Sequence, residues 1–250
     1  MLRAPLIAGA AVLALALPFL AQQPGGGPGK GKGKQPPQSP RAAAAFDPTG
    51  YWVSVVTEDW KFRMVTPPKG SYGGVPMNPE GRKVADSWDP AKDEAAGLQC
   101  KSYGAAALMR VPGRLNITWE NDTTLKIEAD AGTQTRLFRF GAAPAAGEPT
   151  WQGSSVAQWE YAAGSRTGNL RVTTTRMLPG YLRKNGVPYS GNAVLTEWYD
   201  RLPGPDGDQW LVVTTEVRDP QYLTQPFVTT THFKKQASAT GWRPEPCSAR

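Results

Sequence analysis

The chain has 250 residues, 40% hydrophobic and 20% charged, with nine Trp, two Cys and one His. One His excludes zinc sites built on several histidines, and two Cys exclude iron–sulfur clusters and four-thiolate zinc ribbons. Neither a G-x-x-x-x-G-K-[ST] nor a G-x-G-x-x-G loop precedes a plausible helix, so no cofactor or metal is expected.

The net charge of +7 is unevenly placed. Arg3, Lys30, Lys32, Lys34 and Arg41 all precede the first acidic residue, Asp47, and the remainder carries 23 basic against 21 acidic side chains. The basic character therefore belongs to a leader and a tail, and nucleic acid is not an expected partner.

Residues 1–21 read as a secretory signal, with Arg3 before an apolar run from Leu6 to Leu17 and cleavage after Ala16 or Ala21. Pro5, Gly9 and Pro18 oppose a stable anchor helix, so no transmembrane segment is expected after cleavage. The chain is expected to be exported, to a periplasmic or extracellular location. Residues 22–45 have no branched or aromatic side chain to bury and read as a disordered Gly/Pro/Lys-rich linker. Lys30, Lys32 and Lys34 would let it tether the chain to an anionic cell-envelope polymer.

From residue 46 a single β-rich domain is expected to run to the C-terminus. Leu115, Ile117 and Trp119 alternate with polar residues, and after Asn121-Asp122 the alternation resumes with Leu125, Ile127 and Ala129, a hairpin signature. Further strands are expected near 51–56, 60–65, 105–111, 133–140, 151–161, 168–177, 192–202, 208–218 and 226–235, divided by Gly, Pro and Asn turns. About ten strands with short connections predict a mainly β fold, an antiparallel meander closed as a barrel or folded as a sandwich. Residues 79–97 break the pattern and read as a short helical insert over one barrel end, with Pro79 in a first turn and Gly97 at the exit. In an oxidising compartment Cys100 and Cys247 are expected to bond, pinning the C-terminal tail to the body.

Motifs from Cys100 onward resemble those of a family of exported bacterial proteins with no assigned activity. They are Cys100 with Gly104 and Met109-x-x-Pro112, then Trp151-x-Gly153-x-Ser155 before Trp159-Glu160, then Leu170-x-Val172. Gly186-x-Pro188-x-Ser190, Glu197 and Asp219-Pro220-x-Tyr222-x-x-Pro226 complete the series. That family often carries W-E-G-D and a His in G-x-P-H-S. Here eight residues separate Glu160 from Asn169, and Tyr189 stands in the His position. The resemblance implies an exported β-barrel-like domain and supplies no reaction. Gly50-Tyr51-Trp52 also resembles the G-x-W that opens lipocalin barrels, where the Trp plugs the closed end.

Serine-hydrolase chemistry lacks its G-x-S-x-G elbow, and His232 reads as a half-exposed strand residue. Glu160, Glu197 and Glu216 each fall within an expected strand. Facing one lumen, they would form a cluster able to serve as acid or base, with Arg176 and Arg183 as counterions. The candidate ligand-binding set is Arg176, Arg183, Tyr189, Glu197 and Glu216, with Tyr222 at the rim and the 177–192 connection folded over a barrel mouth. Replacing Glu197 and Glu216 by Gln is expected to weaken binding with little change in melting temperature.

Three functions fit. The leading one is binding of a small apolar or amphipathic molecule, or a glycan fragment, in the barrel. The alternatives are a metal-free enzyme using Glu, Arg and Tyr, and a structural envelope module tethered by the basic tail. An open polar cavity would favour the enzyme, an apolar cavity the carrier, and a filled interior the structural module.

Overall fold

The computed structural model describes residues 38–142 and 147–250. The expected signal, the three lysines of the expected linker and most of that linker lie outside these residues. The last linker residues do not: the folded unit begins at Gln38 rather than at 46. Ser39–Ala43 form a turn against the body, where the Trp159 indole N–H donates to the Pro40 carbonyl (2.8 Å) and the Arg41 N–H to that of Asp122 (3.1 Å).

The strands are β1 (Gly50–Val55), β2 (Arg114–Asn121), β3 (Thr124–Ala129), the short β4 (Ala131–Gly132), β5 (Gln134–Phe140), β6 (Ser154–Tyr161) and β7 (Gly168–Thr175). They continue as β8 (Gly180–Arg183), β9 (Val187–Tyr189), β10 (Val194–Pro203), β11 (Gln209–Arg218), β12 (Phe227–Gln236) and the short β13 (Glu245–Pro246). The helices are α1 (Trp60–Arg63), α2 (Pro79–Asp86), α3 (Pro90–Ala95) and α4 (Ala105–Leu108).

Nine strands close a barrel in the order β1-β12-β11-β10-β7-β6-β5-β3-β2 and back to β1. Strand direction cannot alternate all the way round a ring of odd number. The meander is therefore mixed rather than wholly antiparallel, and the β5–β6 pair is the parallel seam, with Phe138 opposite Ser155 and Phe140 opposite Ala157. Closure leaves no unpaired edge along the barrel.

Two expected strands are helical. Residues 105–108 form α4, because three alanines after Gly104 have little to gain from a pleated surface and lose little in a helix. Residues 60–63 form α1, which leaves β1 through Asp59 in a left-handed turn (φ 50°). The helical insert stands where it is expected. Asn78 caps α2 by accepting the Gly81 N–H, Asp89 caps α3 by accepting those of Ala91 and Lys92, and Gly97 exits with φ 70°. The 177–192 connection contains an unexpected hairpin, β8–β9.

These pieces cap one barrel end. Tyr72, Ala85, Ala105, Leu182, Val187 and Tyr189 pack on Leu195, Val217 and Phe227, which lie at the matching ends of β10, β11 and β12. The other end is plugged by rings: Phe46 lies 5.3 Å from Trp159, Trp159 5.8 Å from Phe140, and Phe140 5.6 Å from Trp119. Between cap and plug the lumen is filled by buried Trp52, Ile117, Leu125, Phe138, Leu170, Tyr199 and Phe233. Trp52 is fully buried and donates its indole N–H to the Pro48 carbonyl (2.9 Å).

The Cys100–Cys247 bond is present, with Sγ atoms 2.06 Å apart. It holds the tail where β13 pairs in parallel with β4. No helix among the described residues is long and apolar enough to cross a membrane.

Candidate functional site

A polar layer lies in the lumen beneath the cap. The alternation of β5 turns Arg136 inward beside Phe138, and that of β10 turns Glu197 inward between Leu195 and Tyr199. Arg136 grips Glu197 with both forks, Nη1 to Oε1 at 2.9 Å and Nη2 to Oε2 at 2.6 Å, and neither side chain is exposed to solvent. The Tyr199 hydroxyl donates to the same carboxylate (3.1 Å), and Arg136 Nη2 reaches Thr174 (3.2 Å), whose hydroxyl meets that of Ser155 (2.8 Å). Burial works to discharge the guanidinium, but Glu197 and Tyr199 more than offset it and hold Arg136 above its usual range. Burial and the Glu197 carboxylate push the Tyr199 hydroxyl far above its ordinary value. This is a closed pair, with neither side chain open to solvent.

Glu216 does not join it. Thr196 is the cross-strand partner of Glu216, and Thr215 that of Glu197, so the two carboxylates point to opposite faces of the sheet. Glu216 lies on the outside, paired with Arg218 at 2.7 Å. Glu160 is also outside, 3.5 Å from Arg171. The expected lumenal cluster of glutamates is therefore replaced by one glutamate neutralised by Arg136. With Glu197 buried on Arg136, Glu197→Gln is expected to lower the melting temperature, against the sequence-based expectation of little change. Arg176 turns the chain after β7 in a left-handed conformation (φ 60°), and Glu197 takes its guanidinium partner from Arg136 instead. His232 is a half-exposed strand residue, its Nδ1 3.1 Å from Glu58 Oε2.

The remaining expected residues collect at the cap. Tyr189 and Tyr222 line a cleft of about 280 Å³ together with Trp88, Tyr181, Asp93 and Lys101. Asp93, buried near the start of α3, accepts from Lys101 Nζ (2.7 Å) and from the Tyr181 hydroxyl (2.8 Å). Burial and this carboxylate push the Tyr181 hydroxyl well above its usual range, so it stays a donor. Two buried polar atoms on the cleft residues have no partner among the described residues: the Trp88 indole N–H and the Tyr189 hydroxyl. A buried donor left unmade is costly. The Tyr189 hydroxyl is turned into the seam against Gly104 and Gly180, which leaves the Trp88 indole N–H as the donor that a ligand acceptor in the cleft would relieve.

Local sequence explains the cleft's shape. Tyr189 fits only because Gly104 and Gly180 lack a Cβ where its hydroxyl lies, and Trp88 packs on Gly186, which turns with φ 84°. The G-x-P-x-S and D-P-x-Y segments are stitched together, Asp219 accepting the Ser190 N–H (2.6 Å) and hydroxyl (2.8 Å). The Tyr222 carbonyl takes the Asn78 N–H (2.9 Å), joining that turn to α2.

Arg183 lies apart from this cleft, buried with Arg63 and Arg110 around a smaller cavity. Sequence reasoning missed Arg136, Arg63, Arg110, Trp88, Asp93 and Lys101. Only Arg136 carried a signal, a cation at the same parity as Phe138 and Phe140 in an otherwise apolar-facing strand. No group of three or more His, Cys, Asp or Glu side chains among the described residues is placed to hold a metal. No family model, characterised protein or solved structure matches the chain.

Proposed function

We propose that the chain is an exported binding protein that takes a glycan fragment in the cleft at the capped barrel end, rather than in the lumen. The observation that carries this reading is the cleft's lining. The rings of Trp88, Tyr181 and Tyr222 supply faces for a sugar, and Lys101, Asp93 and the unpartnered Trp88 indole N–H supply polar anchors. The lumen between cap and plug is instead occupied by buried side chains among the described residues. Export is supported by the signal-like leader and by the disulfide, and the motif resemblance to exported bacterial proteins points the same way.

Calorimetric titration of the full disulfide-bonded chain with N,N′-diacetylchitobiose tests the binding. Saturable heat is expected, weakened about tenfold by Tyr222→Ala, since an aromatic platform contributes roughly 1–2 kcal/mol. No heat, or equal heat in the variant, contradicts the reading.

The filled lumen favours a second reading, a structural envelope module tethered through Lys30, Lys32 and Lys34. In that case the cleft binds no sugar, and co-sedimentation with cell-wall polymer is lost when the three lysines are replaced.

A further inference from the structure

At the same capped end, Arg63 closes α1, Arg110 follows α4 and Arg183 ends β8, and all three line one cavity of about 30 Å³. Their side chains are only 1%, 6% and 2% exposed. Each is partly held. Arg63 pairs with Glu58 and donates Nε to the Arg110 carbonyl (2.9 Å), Arg110 Nη2 meets Asp59 (3.0 Å), and Arg183 Nη1 donates to the Gly73 carbonyl (2.7 Å). Each also keeps one buried nitrogen without a partner among the described residues: Nη2 of Arg63, Nη1 of Arg110 and Nε of Arg183.

The charges do not balance. Asp59 serves Arg110 and, at 3.9 Å, also Arg183, while Glu58 is shared with Thr57 and His232. Three guanidinium groups thus face two carboxylates, and Lys184 lines the same cavity. Burial and the like charge of Arg110 pull Arg183 down to about 10, and the same two causes lower Arg63 against the pull of Glu58. An added anion would relieve the repulsion and meet the open donors together.

We propose that Arg63, Arg110 and Arg183 bind the carboxylate of a small amphipathic molecule whose apolar body lies over Trp60, Met64 and Val65. The cavity has room for one or two water molecules, which matches a planar two-oxygen head on guanidinium forks better than a tetrahedral phosphate. Phe62, Leu182, Val111 and Val65 form its apolar walls. Val65 reaches from that wall to the surface, and Trp60, Met64 and Val65 are 65%, 58% and 63% exposed, an unusual run of large apolar side chains in water. None of the three arginines lines the aromatic cleft, so this site stands or falls apart from the glycan reading.

Calorimetric titration of the full disulfide-bonded chain with sodium decanoate, below its micelle concentration and at fixed ionic strength, tests the site. Decanoate is expected to bind with one-to-one stoichiometry, acetate and inorganic phosphate at least about tenfold more weakly, and decylammonium not at all. Arg183→Gln should weaken decanoate about tenfold or more, while Tyr222→Ala leaves it unchanged. Trp60→Ser with Met64→Ser alters only exposed side chains, so the fold is kept, and it should bring decanoate down to the level of acetate. The proposal is overturned by absent saturation with decanoate, by acetate or phosphate binding as tightly, by competition from decylammonium, or by full affinity in the Trp60→Ser, Met64→Ser variant.

Discussion

Glu197 and Glu216 lie in one ordinary-looking stretch of sequence, yet their environments differ in kind. Glu197 has both oxygens on Arg136, and neither partner is exposed, whereas Glu216 pairs with Arg218 at a side chain that is 63% exposed. Removing one member of a buried pair strands the other charge, at a cost of about 3–5 kcal/mol. An exposed pair contributes about 0–1 kcal/mol. Urea unfolding should therefore show Glu197→Gln strongly destabilised and Glu216→Gln close to the parent. Equal midpoints for the two variants would contradict the burial of the pair. Which of the two glutamates faced inward could not be read from spacing alone, because the answer depends on register. Glu197 shares its parity with Leu195 and Tyr199, but Glu216 shares its parity with Val212 and Thr214, which gave no reason to place it outside.

At the scale of elements, the seam between cap and barrel turns on one close approach. The Tyr189 hydroxyl occupies space that a Cβ on Gly104 would need. Gly104 itself has an ordinary extended backbone (φ −65°, ψ 163°), so a substitution is opposed by overlap with the Tyr189 hydroxyl first and by the Trp151 carbonyl oxygen, 3.1 Å from the added Cβ, second. Gly104→Ala should cost about 1–3 kcal/mol by overpacking. Tyr189→Phe alone should be neutral or slightly stabilising, since the hydroxyl is buried without a partner. Combined with Gly104→Ala, it should recover much of the loss. Thermal unfolding of the four proteins measures this cycle, and purely additive effects would refute the contact. The barrel strands were legible because alternation persists through β2, β3, β10, β11 and β12. The cap was legible only in part. Pro79, Pro90 and Gly97 marked α2 and α3, but α1 and the β8–β9 hairpin are too short for a period to establish itself, and their form is decided by packing on the barrel end.

For the molecule as a whole, the Cys100–Cys247 bond closes 147 residues of sequence, nearly the entire barrel. In the chain-entropy account such a loop contributes about 5 kcal/mol. Reduction, or replacement of both cysteines by Ser, should lower the urea midpoint by a corresponding amount, and an unchanged midpoint would show that the tail adds nothing. Pairing two lone cysteines in a chain expected to be exported needed no geometry, so this long-range link could be read from composition. The parallel β5–β6 seam could not, because it follows from the closure of nine strands and not from any local pattern. The same limit applied to the site. Trp88, Asp93 and Lys101 come from the insert and its exit, and only the folded cap carries them to Tyr181, Tyr189 and Tyr222.

The central claim is that ligand binds at the cap and leaves the lumen untouched. Indole N–H resonances of the full ¹⁵N-labelled chain during titration with N,N′-diacetylchitobiose report on both places at once. The Trp88 indole, buried without a partner at the cleft, should shift progressively to saturation. The Trp52 indole, bonded to the Pro48 carbonyl inside the barrel, should hold its position. A stationary Trp88 signal, or a Trp52 signal that moves in its place, would contradict the account.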